Sequence, residues 1–146
     1  MRTPTFRELS TVECVDVLRR NHYGRIAFTL HDRVDVEPVH YVLDGDWLYI
    51  RTSKGTKVAM LRRGPWVAFE VDEVRGPFDW TSVVVKGTVY FVSGIAGADD
   101  PKAYEQALAV LRRLMPEAMT PDDPTPSRTV IFRISLNEVH GRASHP

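Results

Sequence analysis

The residues whose types and spacing could do chemistry lie between Arg51 and Lys57. This stretch reads RTSKGTK and combines cations with hydroxyl side chains. Apolar–polar alternation predicts a strand over residues 47–52, and the pattern after Gly55 predicts a short helix over residues 56–63. Backbone N–H groups at a helix N-terminus, together with hydroxyls and a lysine, form a suitable site for a phosphate group. The sequence therefore predicts a phosphate-binding site here, with Thr52, Ser53, Thr56 and Lys57 as its candidate residues.

The elements that must position this site are mainly β-strands. Short apolar or alternating runs, bounded by turn residues, predict six strands at residues 24–30, 34–43, 47–52, 66–71, 82–92 and 129–136. Most of these strands are joined by hairpins, and the helices fall between them. This order predicts a mainly β, six-stranded antiparallel barrel with peripheral helices, formed by one domain over residues 1–146.

Local signals predict the details of these elements. Ser10 and Glu13 have the spacing of a helix capping box, which places Cys14 on a buried helix face. Pro38 lacks a backbone donor, so its strand must be an edge, carry a bulge or face a ligand. Gly87 is predicted to form a bulge. An amphipathic helix is expected over residues 101–115, with Tyr104, Leu108, Leu111 and Met115 on one side. We expect an exposed connector over residues 116–126 and no regular structure in the final HGRASHP.

Composition excludes several classes of protein. The 146 residues include 19 basic and 19 acidic side chains, so the net charge is zero. Such a balance does not favour nucleic acid or an anionic membrane as a partner, whereas it suits association with a second copy. The single cysteine excludes an intrachain disulfide and a cysteine-rich metal site. No long apolar stretch is present, so we expect a cytoplasmic protein with no metal site and no membrane contact.

Six sequence blocks carry a family resemblance. In order they are GRIAF, PVHYVLDG, LYIRTSKGTK, LRRGPWVAFEVDE, WTSVVVKG and VIFRISLNEVHGR. Together they resemble the pyridoxamine 5′-phosphate oxidase-like split-barrel flavoproteins, in particular the small nitroimidazole-resistance-type branch. The resemblance runs from about Ser10 to about Arg142, nearly the whole chain.

The resemblance implies a split barrel that forms a homodimer and binds FMN in each of two clefts between the protomers. Strand 36–41 would lie beneath the isoalloxazine ring, and the phosphate would meet Thr56 and Lys57. Trp80 and Ser82 would reach the flavin from the partner subunit. The implied cofactor-binding residues are Val36, Glu37, Pro38, Val39, His40, Tyr41, Arg51, Thr52, Ser53, Thr56, Lys57, Trp80 and Ser82.

The sequence departs from the true oxidase at important positions. The arginine and lysine that bracket that enzyme's ring-contacting strand are here Val36 and Tyr41. Its C-terminal tryptophan and arginine have no clear counterpart after Leu136. We therefore do not expect oxidation of pyridoxamine 5′-phosphate.

Three groups of residues keep alternative interpretations. His40 is a partly buried histidine bonded to backbone, a flavin or substrate contact, or a haem or metal ligand. Trp80 either closes a barrel mouth or dimer interface, or stacks near a cofactor. The carboxylates of Glu70, Asp72 and Glu73 form edge protection or salt bridges more commonly than a catalytic pair.

The residues provide no nucleophile–base arrangement and identify no catalytic side chain, so any chemistry belongs to a bound cofactor. The leading hypothesis is an FMN-dependent oxidoreductase that passes a hydride or electrons between a reduced nicotinamide and a small acceptor. A second hypothesis replaces FMN by the deazaflavin coenzyme. The others are a haem-binding split barrel with His40 as ligand and a non-catalytic flavin-binding module.

Overall fold

The computed structural model describes residues 3–95, 97–98 and 100–146. Within these residues the chain forms nine strands and three helices. The strands are β1 (Thr5–Glu8), β2 (Tyr23–Leu30), β3 (Arg33–His40), β4 (Val42–Asp44), β5 (Trp47–Thr52), β6 (Trp66–Gly76), β7 (Asp79–Ser93), β8 (Val130–Ser135) and β9 (Glu138–His145). The helices are α1 (Thr11–Arg20), α2 (Thr56–Arg63) and α3 (Pro101–Leu111).

The strands form one antiparallel sheet in the order β3-β2-β6-β7-β8-β5-β4. The long strand β7 pairs with β9 through its first half and with β8 through its second half, and β9 also pairs with β1. Strands β3 and β4 lie at the two ends of the order and are not paired with each other. The sheet therefore curves without closing, which confirms the predicted antiparallel split barrel.

All six predicted strands are present, with changed limits for some of them. β5 has the predicted bounds. The predicted return strand is divided at Tyr41, whose N–H donates to the carbonyl of His22 at 2.9 Å. β6 extends to Gly76, so the expected loop is a two-residue turn before β7. Pro38 lies on β3, an edge strand of the sheet, where its missing donor is tolerated.

The expected lack of regular structure in the final HGRASHP is wrong, because all of this segment except the last residue belongs to β9. The small residues Gly141, Ala143 and Ser144 hide the apolar–polar alternation that is typical of a strand. Close packing requires a small residue at Gly141. A Cβ at Gly141 would come within 2.7 Å of Cys14 Sγ and 2.8 Å of Leu9 Cδ1. Strand β1, which pairs with β9, was also not predicted, since all four of its residues are exposed.

Gly87 does not form the predicted bulge. Its pairing with Val67 is regular, and the irregular register of β7 against β8 lies between Phe91 and Ser93. Gly87 marks instead the point where β7 leaves β9 and joins β8. A Cβ there would collide with the carbonyl oxygen of Ser135, so only glycine permits this approach.

The capping box of α1 is confirmed. The Ser10 hydroxyl accepts from the Glu13 N–H at 3.2 Å, and the Glu13 carboxylate accepts from the Ser10 N–H at 3.0 Å. Cys14 is buried on the inner face of the helix, as predicted, and Val17 and Leu18 are buried beside it. This face covers the barrel interior, where the main apolar core lies.

Helix α3 ends at Leu111, earlier than the sequence predicted. It buries Ala107, Val110 and Leu111 in a second, smaller core that includes Tyr49 and Ile131. The prediction of one apolar helix face formed by Tyr104, Leu108, Leu111 and Met115 is therefore wrong. The chain turns after Leu111, so Met115 lies outside the helix, and of the four only Leu111 is among the buried helix residues. None of the helices in the described ranges is long and apolar enough to cross a membrane.

Candidate functional site

A polar cleft lies between β3, the end of β5 and the start of α2. Its volume is about 430 Å³. Most of its lining residues belong to the predicted site: Pro38, Val39, His40, Arg51, Thr52, Ser53 and Lys57. Tyr23 and Arg128 also line the cleft and were not predicted. Only the pairing of β2 with β3 and the return of the chain before β8 bring these two residues here, so no local pattern indicates them.

The N-terminus of α2 opens towards solvent beside this cleft. Gly55 is the N-cap residue, and no side chain caps the helix. The first N–H groups of a helix have no acceptor within the helix itself. A Cβ built on Gly55 would meet no atom within 4 Å, so the approach is sterically open. Backbone donors are therefore available next to Ser53 and Lys57.

Lys57 and Glu37, both predicted site residues, contact each other. Lys57 Nζ lies 2.8 Å from Glu37 Oε2. The lysine side chain is 14% exposed and the glutamate side chain 42% exposed. The ammonium group of Lys57 is thus partly enclosed, and its acidic partner is open to water.

Arg51 is held by the connector between α3 and β8. Its Nη2 donates to Asp123 Oδ2 at 2.6 Å, and its Nε donates to the carbonyl of Arg128 at 3.1 Å. The Arg51 guanidinium and the N–H of Met119 hold the pKa of the Asp123 carboxyl well below its usual range. Most of the connector over residues 116–126 is exposed as predicted, but Ala118 and Asp123 within it are buried. A pair of charges distant in sequence fixes this segment on β5.

His40 and Tyr41 point to different surroundings. His40 is exposed, and its ring contacts Tyr23 edge-on with centroids 5.3 Å apart. Tyr41 is buried, and its hydroxyl donates to the carbonyl of Leu18 at 2.8 Å. Burial raises the pKa of the Tyr41 phenol. His40 is therefore the member of this pair whose side chain is accessible to a ligand.

A second cavity of about 410 Å³ adjoins the polar cleft. It lies beneath the end of α3 and the connector, and it shares His40, Arg51 and Arg128 with the cleft. Its remaining lining residues are Tyr41, Leu111, Leu114, Met115, Pro124 and Thr125.

The other predicted residues do not line the cleft. Val36 and Thr56 are exposed. Trp80 and Ser82 line a shallow pocket of about 230 Å³ on the face formed by β7 and β9. Within one chain the structure therefore does not bring Trp80 and Ser82 together with Lys57.

Of the three carboxylates of β6, Glu73 has a partner of its own, whereas Glu70 and Asp72 lie side by side and both approach Arg25. Glu73 pairs with Arg20 at 2.6 Å, which lowers the pKa of its carboxyl to about 2. Glu70 accepts from the Ser82 hydroxyl at 3.2 Å, and burial with the adjacent Asp72 raises its pKa to about 7. These contacts agree with the salt-bridge interpretation for Glu73. Across the described residues, no group of three or more His, Cys, Asp or Glu side chains could hold a metal ion.

Comparison with solved structures gives relatives of the same fold. An FAD-binding protein from Mesorhizobium loti is 30% identical, with a TM-score of 0.76, over 99% of this chain and 100% of that chain. A Bacteroides thetaiotaomicron protein, assigned provisionally to 5-nitroimidazole antibiotic resistance, is 16% identical with a TM-score of 0.72, over 98% and 90% of the two chains. An FAD and haem binding protein from Mycobacterium smegmatis is 18% identical with a TM-score of 0.71, over 95% and 74%. The last two show the shared fold alone.

No curated protein matches the sequence. The sequence model of the family described as pyridoxamine 5′-phosphate oxidase matches residues 10–143. This match and the Mesorhizobium relative cover nearly the whole chain, so the chain belongs to the pyridoxamine 5′-phosphate oxidase family.

Proposed function

We propose that this protein binds FMN in the polar cleft and acts as a flavin-dependent oxidoreductase. The observation that carries the proposal is the cleft itself, in which the uncapped start of α2 lies beside Ser53 and the partly enclosed Lys57. The 30% identical relative is described as FAD-binding, which supports a flavin as the ligand class.

The residues present fit a ligand with a flat ring and a phosphate. Lys57, Ser53 and the first N–H groups of α2 would bind the phosphate through charge-assisted and neutral hydrogen bonds. Pro38, Val39 and His40 provide the strand against which a flat ring would lie. Bound flavin would supply hydride and electron transfer, which no side chain of this cleft performs. A reduced nicotinamide is the proposed donor.

Two copies of the chain would complete the site. Val34 and Val36, two positions apart on the edge strand β3, share one face of the strand and are 77% and 61% exposed, so a second copy would cover an apolar pair there. Trp80 and Ser82 line a separate face, from which they would reach the cleft of a second copy. Light scattering should therefore give twice the mass of the chain at micromolar concentration. A stable monomer would contradict this part of the proposal.

The test of the ligand is direct. Heat should release the small molecule that copurifies with the protein, and mass spectrometry should identify it as FMN. Titration of FMN into apo-protein should then quench flavin fluorescence at one equivalent per chain. Identification of the deazaflavin coenzyme, or a haem Soret band that His40→Ala removes, would overturn the assignment of FMN. Flavin binding without oxidation of any reduced nicotinamide would leave a flavin-binding module and contradict the enzymatic proposal.

A further inference from the structure

The second cavity has the size and the walls of a small-molecule site. Its volume of about 410 Å³ falls in the range of ligand pockets, roughly 300–1,000 Å³. Leu111, Leu114 and Met115 at the end of α3 and Pro124 in the connector give it apolar walls. No acidic residue of the described chain lines it. Such walls favour an apolar ligand and would not repel an anion.

Among the described residues, one cation that lines the cavity has no acidic partner. Arg51 is neutralised by Asp123, and the side chains of this pair are only 8% and 2% exposed. Arg128 lines the cavity and forms no ion pair with an acidic side chain among the described residues. An anionic group on a ligand would therefore find its partner in Arg128.

The cavity also adjoins the polar cleft. His40, Arg51 and Arg128 line both spaces, so occupants of the two spaces would lie side by side. The connector that forms one wall is fixed to β5 by the Arg51–Asp123 pair, and Asp123 also accepts from the N–H groups of Met119 and Thr125 at 2.8 and 2.9 Å. The wall is thus preformed, which lowers the entropic penalty of binding.

We propose that this cavity binds a second small molecule, largely apolar and carrying one anionic group that pairs with Arg128. The molecule exchanges electrons with the flavin, as acceptor or donor. This role rests on the proposed function, whereas the binding itself does not. The polar cleft and the apolar cavity are then two compartments of one site, with His40 and Arg128 at their boundary.

Two fluorescent probes test the binding without any turnover. Anilinonaphthalene sulfonate combines an apolar ring system with one anionic group, and N-phenylnaphthylamine is its neutral counterpart. Both should bind the folded apo-protein saturably. Arg128→Gln should weaken binding of the sulfonate about two- to fivefold, as expected for a partly exposed ion pair, and leave the neutral probe unchanged. Equal effects on both probes, or none on either, would overturn the role of Arg128.

A charge placed in the cavity wall provides the second test. Leu114 is 37% exposed, so Leu114→Glu should fold, and thermal unfolding checks this. The new carboxylate should weaken binding of the sulfonate at least about tenfold, because like charges in a confined site repel strongly. The matched control is Val12→Glu on α1, where the valine is 72% exposed and lines neither space. Equal weakening by both variants would place the probe elsewhere and overturn the proposal.

Simultaneous binding separates this inference from the assignment of FMN. With FMN bound, the sulfonate should still bind with one site per chain. Displacement of the probe by one equivalent of FMN would overturn the proposal, because one ligand would then occupy both spaces. Probe binding that responds to Arg128→Gln and Leu114→Glu in a protein that fails to bind FMN would support the cavity and refute the flavin.

Discussion

Removal of the Lys57 side chain should weaken FMN binding. The loss is smaller than that of a free lysine, because Lys57 must give up part of its contact with Glu37 to bind the phosphate. A hydrogen bond between an ammonium group and a phosphate contributes about 1.5–3 kcal/mol net. The Lys57–Glu37 pair must loosen to release the ammonium, and a partly exposed pair of this kind is worth about 0.2–1 kcal/mol. The difference is about 0.5–2.8 kcal/mol, which at 1.4 kcal/mol per decade is a loss of about 2- to 100-fold for Lys57→Ala.

The same reasoning predicts the opposite effect for Glu37→Gln. This substitution removes the competing carboxylate, frees the ammonium and should tighten FMN binding by up to about fivefold. Titration of FMN into apo-protein, followed by quenching of flavin fluorescence, measures both effects. Lys54→Ala is the matched control, because Lys54 is an exposed lysine in the same turn and does not line the cleft. Its dissociation constant should stay within about twofold of wild type.

The folded state must survive the substitution for this comparison to hold. Lysine in the first turn of α2 opposes the helix dipole, which offsets the small loss of the pair with Glu37. Urea unfolding of apo Lys57→Ala should therefore agree with wild type within about 0.5 kcal/mol. Equal dissociation constants for wild type and Lys57→Ala would refute a phosphate at this lysine. Weaker binding by Glu37→Gln would show that Glu37 binds the ligand instead of competing with it.

Three further substitutions or measurements test the fold. Gly87→Ala should lower the free energy of unfolding in urea by about 3 kcal/mol or more, because the new Cβ collides with the carbonyl oxygen of Ser135. Gly76→Ala is the control: its Cβ would have no atom within 4 Å, so it should change little beyond the entropy of the unfolded chain. The Glu70 carboxyl has a folded-state pKa of about 7 against an ordinary 4.5, so the folded state binds its proton more tightly. The free energy of unfolding should fall as pH rises from 4.5 to 7, and Glu70→Gln should remove this slope in melting curves. Cys14 is 1% exposed, so a thiol reagent should label it only as fast as the protein opens; labelling at the rate of a free thiol would contradict its burial.

Local signals in the sequence were sufficient for much of the fold. The capping box of α1 and the strand at residues 47–52 were predicted with their observed limits, because a few adjacent residues determine each of them. Strand β9 was missed for the opposite reason. Its small residues make sense only against the side chains of Leu9 and Cys14, which lie far away along the chain.

Helix α3 illustrates a related failure. Apolar periodicity continues to Met115, but the helix ends at Leu111 because the following segment folds back, with Arg112 Nε donating to the carbonyl of Ala118 at 3.0 Å. Periodicity reports which residues prefer burial, and it does not report which neighbour buries them. The apolar residues beyond the helix end, Leu114 and Met115, line the second cavity.

The structure brings several of the predicted site residues to one cleft, and it adds ion pairs that the sequence did not reveal. The sequence alone does not distinguish the roles of Arg51 and Lys57, because both are cations close to the N-terminus of a helix. The structure gives each an acidic partner, and the two pairs differ in burial. The Arg51–Asp123 side chains are almost fully enclosed, whereas Glu37 is 42% exposed. Separating a buried pair leaves an unpaired charge out of water, while an exposed carboxylate is readily hydrated. Burial, which the sequence does not reveal, therefore makes Arg51 the residue that fixes the connector and leaves Lys57 and Arg128 as the cations able to accept a ligand's anionic group.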